Sequence, residues 1–148
     1  MCENSINGKM RLRINVFREK TENGNRMKQG GIVMKTVVIA FHNGLMAQSV
    51  AHTLHAAGCF RVHVADPDSQ ECLTLCRSLS ADVLLLEATE QIFKTRPDLD
   101  CKIVVMCDDN SSPERLQQVV LSKKLGEIDD FVFFSVSAHY LTAMLSAL

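Results

Sequence analysis

The chain has 148 residues, 47% of them hydrophobic, which suits one domain with a substantial core. Residues 1–33 contain seven Lys or Arg against three Asp or Glu, and residues 34–148 contain nine against fourteen, so the two parts carry +4 and −5. The acidic second part argues against direct nucleic-acid binding by the folded domain. No apolar run approaches the roughly 20 residues that span a bilayer, and no secretory signal is present, so we expect a cytoplasmic protein without membrane contact.

Residues 1–33 are rich in Asn, Gly, Lys and Arg and have too little apolar surface to offset the entropy of ordering them. Their one pattern, an alternation from Met10 to Val16, could form an extra edge strand. Alternatively, Gly30 and Gly31 could be the translation of a purine-rich ribosome-binding sequence, with the natural start at Met34. We predict that 1–33 is a disordered leader or a mis-assigned start, and that 34–148 is the domain.

Five short apolar runs after Met34 predict β-strands, and helical patterns separate them. The runs occupy residues 36–41, 60–65, 82–86, 102–106 and 131–134. Strands that are continuously apolar and alternate with helices indicate a parallel sheet covered on both faces.

Helix boundaries are marked by capping residues. Gly58 should end a first helix at 45–57, and Asp68 with Glu71 resembles a capping box that opens the second. A third helix, between Ala88 and Cys101, should be short because Pro97 interrupts it. The last two helices should start at Ser112, which is followed by Pro113 and Glu114, and at Ser137.

In this pattern residues 34–148 resemble the CheY-like receiver domain of two-component response regulators. The resemblance rests on four segments: VVIAFHNGLMAQSVAHTL, ADVLLLEA, KIVVMCDD and IDDFVFFSVSAHYL. It implies a flavodoxin-like, doubly wound fold with a five-stranded parallel sheet in the order 2-1-3-4-5 and helices on both faces.

The resemblance also implies which positions would hold the phosphorylation chemistry of a receiver. In that family an acidic pair binds magnesium, an Asp accepts the phosphoryl group, and a Ser or Thr and a Lys hold its oxygens. The corresponding positions here hold other residues: Phe41, His42, Glu87, Cys107 and Phe134. We therefore expect a degenerate receiver that binds no cofactor or metal and is not an enzyme.

Glu87 keeps a carboxylate at the phosphoacceptor position. Its negative charge could imitate a phosphorylated Asp and hold an active-like state, or it could be a solvated residue at a strand end. A flavodoxin-like protein that binds a small ligand or a metal through His42, Glu87 and Cys107 is the alternative function. An enzyme with a Cys107 nucleophile is a third possibility, which no motif supports.

The family's partner surface lies on the fourth helix, fifth strand and fifth helix. It predicts a protein partner or a homodimer that binds through a face with these candidates: Val119, Val120, Phe131, Phe133, Tyr140 and Met144.

Two further groups of residues are assigned structural roles. The six cysteines form no CxxC pair and lie mostly within apolar patterns, so we expect reduced, partly buried thiols. The pairs Asp108–Asp109 and Asp129–Asp130, which border the fourth and fifth strands, are expected to be solvated loop carboxylates.

Overall fold

The computed structural model describes residues 28–29, 32–67, 70–88 and 99–148. In this part of the chain, five parallel strands form one sheet: β1 Lys35–Ala40, β2 Phe60–Val64, β3 Val83–Glu87, β4 Lys102–Cys107 and β5 Asp130–Phe133. Their order is 2-1-3-4-5, as predicted. β1 is an interior strand, because Val38 pairs with His63 of β2 on one side and with Leu84 of β3 on the other.

Four helices lie in the described residues: α1 Gly44–Ala57, α2 Gln70–Leu79, α3 Pro113–Lys124 and α4 Ala138–Ala147. Gly58 ends α1 with φ 82°, and the side chains of Ser112 and Ser137 accept hydrogen bonds at the starts of α3 and α4. These three predicted boundaries are confirmed. The predicted start at Asp68 lies outside the described residues, as does most of the predicted helix between Ala88 and Cys101. α3 lies between β4 and β5, and α4 follows β5. These are the places that the predicted pattern gives to the fourth and fifth helices.

Side-chain alternation divides the core between the two faces of the sheet. On one face α1 and α4 cover a cluster that includes Ile39, Leu85 and Met106. On the other face α2 packs over Val38 and Leu84, and α3 packs over residues of β4. The helices on both faces explain why the interior strands β1, β3 and β4 carry apolar residues on both faces of the sheet.

Two aspartates connect the amino ends of neighbouring strands. Asp82, just before β3, accepts the backbone N–H of Thr36 at 2.7 Å, and Asp129, just before β5, accepts that of Ile103 at 2.8 Å. Asp130 accepts a hydrogen bond from Nζ of Lys123 at 3.0 Å. The expectation of solvated loop carboxylates is therefore wrong for Asp129, whereas Asp108 and Asp109 are exposed and Asp130 is partly exposed in its ion pair with Lys123.

The first strand also contacts the end of the last helix. Nζ of Lys35 donates to the carbonyl oxygens of Ser146 at 2.9 Å and Leu148 at 3.0 Å, where a helix leaves carbonyls without intrahelical partners.

The predicted leader lies outside the described residues, except for two short segments. Lys28–Gln29 and Ile32–Val33 pair as an antiparallel ladder separate from the main sheet. Among the described residues, no helix combines the length and apolar character needed to cross a membrane.

Candidate functional site

Phe41 and Phe134 contact each other at the carboxyl end of the sheet. Phe41 follows β1 and Phe134 follows β5, and their rings meet edge to face with centroids 5.6 Å apart and an interplanar angle of 83°. β3 and β4 lie between these strands, so the backbones of β1 and β5 are separated by about 14 Å at the usual strand spacing. The two rings therefore meet beside the ends of β3 and β4, on the face of the sheet that α1 and α4 cover.

Both rings belong to the core. Phe41 is 4% exposed, and Phe134 packs partly buried against the same cluster. The backbone N–H of Phe134 donates to the carbonyl of Cys107 at 2.9 Å, which fixes the start of its loop to the end of β4. An aromatic pair in this arrangement contributes about 0.5–1.5 kcal/mol beyond the area that it buries.

Glu87, the last residue of β3, is tied to the loop between β1 and α1. Its Oε1 accepts the backbone N–H groups of His42 and of Asn43, the latter at 3.1 Å. Asn43 is the N-cap of α1, so the carboxylate lies beside the positive end of the helix dipole. Glu87 is partly buried and hydrogen-bonded in this structure, and the solvated interpretation of its carboxylate is not supported by the contacts.

His42 stands beside Glu87 at the surface. Its Nδ1 is 3.6 Å from Oε1 of Glu87, and its side chain is about half exposed. A protonated His42 would form an ion pair there, but exposed ion pairs of this kind contribute little, roughly 0–1 kcal/mol.

Cys107 is separated from the other polar members of the predicted site. It is fully buried in the cluster that α3 covers, with Ile103 and Val105, whereas Glu87 pairs in register with Met106, which faces α1 and α4. Burial raises the pKa of the Cys107 thiol to about 11, so the thiol is protonated at neutral pH.

The structure thus brings together His42 with Glu87 and Phe41 with Phe134, while Cys107 points into a different cluster. Within the described residues, no group of three or more His, Cys, Asp or Glu side chains could hold a metal ion. The geometry offers no support for a metal site built from His42, Glu87 and Cys107.

The predicted interaction face is only partly at the surface. Val120 and Tyr140 are exposed, at 40% and 56%, whereas Val119 is fully buried in the core and is not available for contact. Phe131, Phe133 and Met144 are half-buried. The ring of Phe131 is edge to face with Phe133, and Nζ of Lys123 lies 5.7 Å from its centroid.

Two exposed leucines on this side were not predicted. Leu121, on α3, is 53% exposed, and Leu125, the C-cap of α3, is 63% exposed. The signal was present in the run VVL at 119–121, because three adjacent apolar residues cannot all face the core of a helix with 3.6 residues per turn.

Comparisons with known proteins bear on the family. No protein-family model matches the sequence. The response regulator GacA of Pseudomonas aeruginosa is 34% identical over 59 residues, in an alignment that covers 33% of this chain and 28% of that protein. The chain therefore matches less than a third of the length of this curated relative.

Solved structures match over a larger share of the chain. A response regulator from Thermotoga maritima superposes with a TM-score of 0.62 at 18% identity, over 78% of this chain and 97% of that one. The signal receiver domain of NarL from Mycobacterium tuberculosis gives 0.59 at 15% identity, over 77% and 94%. The CheY-like protein TadZ from Pseudomonas aeruginosa gives 0.56 at 21%, over 76% and 98%. The chain has the CheY-like flavodoxin fold of receiver domains.

Proposed function

We propose that this chain is a receiver-like module of two-component signalling that does not accept a phosphoryl group and acts in the cytoplasm by binding a protein partner or a second copy of itself. The contact between Phe41 and Phe134 carries the proposal. In receivers, the position of Phe41 supplies a magnesium ligand and that of Phe134 supplies the Lys that holds phosphoryl oxygens. Two apolar rings in contact offer neither group.

The remaining positions support the same conclusion. Magnesium prefers oxygen ligands in octahedral geometry, and an imidazole at His42 is a poor replacement for a carboxylate. Glu87 retains a carboxylate, but its Oε1 is engaged by the N–H groups of His42 and Asn43. Its extra methylene relative to Asp also displaces the attacking oxygen, and a misplacement of about 1 Å can reduce a rate on the order of 100-fold.

Protein binding is supported by the surface rather than by the pocket. Val120 and Leu121 on α3, Leu125 at its C-cap and Tyr140 on α4 expose large side chains with apolar surface. The net charge of −5 on residues 34–148 disfavours nucleic acid as the direct partner.

Phosphorylation is tested with acetyl phosphate and with a sensor kinase, each with and without magnesium, followed by intact-mass measurement. We expect no added phosphoryl mass. A variant with all five positions converted to family residues (Phe41→Asp, His42→Asp, Glu87→Asp, Cys107→Thr and Phe134→Lys) is the positive comparison if it folds, and a known receiver controls the reagents. Glu87→Asp alone should remain inactive, because Phe41 still supplies no magnesium ligand. A magnesium-dependent, acid-labile phosphoprotein formed by the unmodified chain would overturn the proposal.

The binding part is tested separately by sedimentation equilibrium of the full chain, which measures self-association, and by titration against a partner where one is found. Tyr140→Asp and Leu121→Asp should weaken binding. If Glu87 imitates a phosphorylated Asp, Glu87→Gln should weaken it by about 5–150-fold, the usual range of coupling between sites. If Glu87 serves only the fold, Glu87→Gln should leave it unchanged. Loss of binding in Glu87→Gln with no effect of either surface change would contradict the proposed binding face.

A further inference from the structure

Three cysteines meet in the core beneath α2, away from the site described above. Cys72 and Cys76 lie one turn apart on the inner side of α2, and Cys101 immediately precedes β4. All three are at most 4% exposed and belong to one cluster with Val38 and Leu84. Hydrogen bonding with Cys101 and then with Cys72 raises the pKa of the Cys76 thiol, whereas hydrogen bonding with Cys76 lowers the pKa of the Cys72 thiol.

We propose that this cluster is a thiol–disulfide site in which Cys76 and Cys101 join when the protein meets a peroxide. In the structure, Cys72, Cys76 and Cys101 are thiols, as is Cys107, whereas Cys59 is disulfide-bonded. The expectation of reduced cysteines thus holds for these four and is wrong for Cys59. Packing alone requires buried apolar groups at the three positions, but it does not require that all three be thiols in one cluster.

Helix geometry selects Cys101, rather than Cys72, as the partner of Cys76. Side chains four residues apart on a helix have Cβ atoms about 5–6 Å apart, whereas a disulfide needs about 3.5–4.5 Å. A bond between Cys72 and Cys76 would therefore distort α2. Cys101 lies on a different element, so its distance from Cys76 is not fixed by the helix.

The reaction balances with hydrogen peroxide as the oxidant. The thiols of Cys76 and Cys101 together lose two protons and two electrons, one S–S bond forms, the O–O bond of the peroxide breaks, and two water molecules form. Because the thiols are buried, the peroxide reaches them during local opening of α2, so the reaction should be slower than in the unfolded chain. The product links α2 to the start of β4 and closes a loop that contains β3.

Peptide mapping distinguishes the possible bonds. The full chain is treated with hydrogen peroxide, its remaining thiols are alkylated, and it is digested with trypsin without reduction. Cleavage after Arg61, Arg77, Lys94 and Lys102 leaves Cys72 and Cys76 on one peptide and Cys101 on another. We expect a cross-linked pair of these peptides that a phosphine reductant separates. The thermal midpoint of the oxidised protein should rise by roughly 10 °C.

Single variants identify the two sulfurs. Cys76→Ala and Cys101→Ala should abolish the cross-link, while Cys72→Ala should retain it. Cys107→Ala is the matched control. It removes a buried thiol from a different cluster, the one that α3 covers, and should also retain the cross-link. Near-UV circular dichroism confirms that each variant is folded.

Three outcomes would overturn the inference, and the first needs no variant. They are the absence of any cross-link in the folded, peroxide-treated chain, a disulfide confined to the peptide that carries Cys72 and Cys76, and a cross-link that persists in Cys76→Ala. None of these results depends on the proposed function, since phosphorylation and partner binding are measured independently.

Discussion

Phe41 and Phe134 are in edge-to-face contact, with ring centroids 5.6 Å apart, at two positions for which the receiver resemblance implies charged residues. Aromatic side chains at both positions are compatible with each other, whereas one charged side chain beside one aromatic ring would not be. A carboxylate against Phe134, or an ammonium against Phe41, would be a buried charge facing an aromatic ring, whereas two rings extend the core that α1 and α4 cover.

The first prediction is that restoring one charged residue damages the fold. Phe41→Asp should lower the free energy of unfolding by at least about 3–5 kcal/mol, the usual cost of truncating a buried Phe, because it also buries a carboxylate. Urea denaturation measures the loss. Leu45→Asp is the control, because Leu45 is 85% exposed and the same charge there should change stability by less than about 0.5 kcal/mol. Equal losses in the two variants would show that Phe41 is not part of the core.

The capped helices were predictable from sequence because they depend on local patterns, and the strand order was predictable because the whole pattern resembles a receiver. The alternation of apolar strands with helices, together with the receiver resemblance, predicted the order 2-1-3-4-5, and Ser112 and Ser137 marked two helix starts correctly. The caps and the apolar runs are each encoded within a few consecutive residues, whereas the strand order is a property of the whole domain and came from the resemblance.

The contacts of the site were not predictable in the same way. The predicted strand ends placed Phe41, Glu87 and Phe134 at the carboxyl edge of the sheet. They did not show that the two rings touch or that Glu87 accepts the N–H of Asn43. Those contacts depend on loop paths between residues that are far apart in sequence. Similarly, Val119 and Val120 differ only by a rotation of about 100° about the helix axis, yet one is buried and the other exposed.

The second prediction concerns Lys35. Lys35→Met should destabilise the protein by about 1 kcal/mol, because the carbonyls of Ser146 and Leu148 lose a charged donor at the end of α4. Lys102→Met is the matched control, since Lys102 is also the first residue of a strand but is exposed. Chemical denaturation of both variants checks the difference. A loss of equal size in Lys102→Met would assign the effect to charge alone.

The third prediction concerns Asp82. Asp82→Ala should cost about 1–3 kcal/mol, because the N–H of Thr36, which is buried at the start of β1, loses its carboxylate acceptor. Asp109→Ala, in the exposed loop after β4, should stay within about 0.5 kcal/mol of the unmodified chain. Hydrogen exchange gives a more local measurement, since the amide of Thr36 should lose protection in Asp82→Ala. Unchanged protection of that amide would contradict the role assigned to Asp82.

The fourth prediction is a dependence of stability on pH that originates at His63. This side chain lies on β2, and its Nε2 is buried without a hydrogen-bond partner in the described residues. Burial, and then the charge of Arg61, lower the pKa of His63 below its ordinary value of 6.5. At a pH between the folded and unfolded pKa values, the unfolded chain therefore binds more protons at His63 than the folded chain does.

The sign follows from proton linkage. The contribution of neutral His63 to the free energy of unfolding is fully present above pH 6.5 and is lost as the pH falls through the lowered folded pKa. The free energy of unfolding should therefore decrease on acidification. Urea denaturation from pH 7.5 down to about 5.5, above the ordinary range of most carboxylates, measures this slope. His63→Phe should flatten it, while His52→Gln, on the exposed side of α1, should leave it as it is in the unmodified chain. If His63→Phe retains the full slope, another group is responsible for the acid sensitivity, and the unpaired imidazole has no part in it.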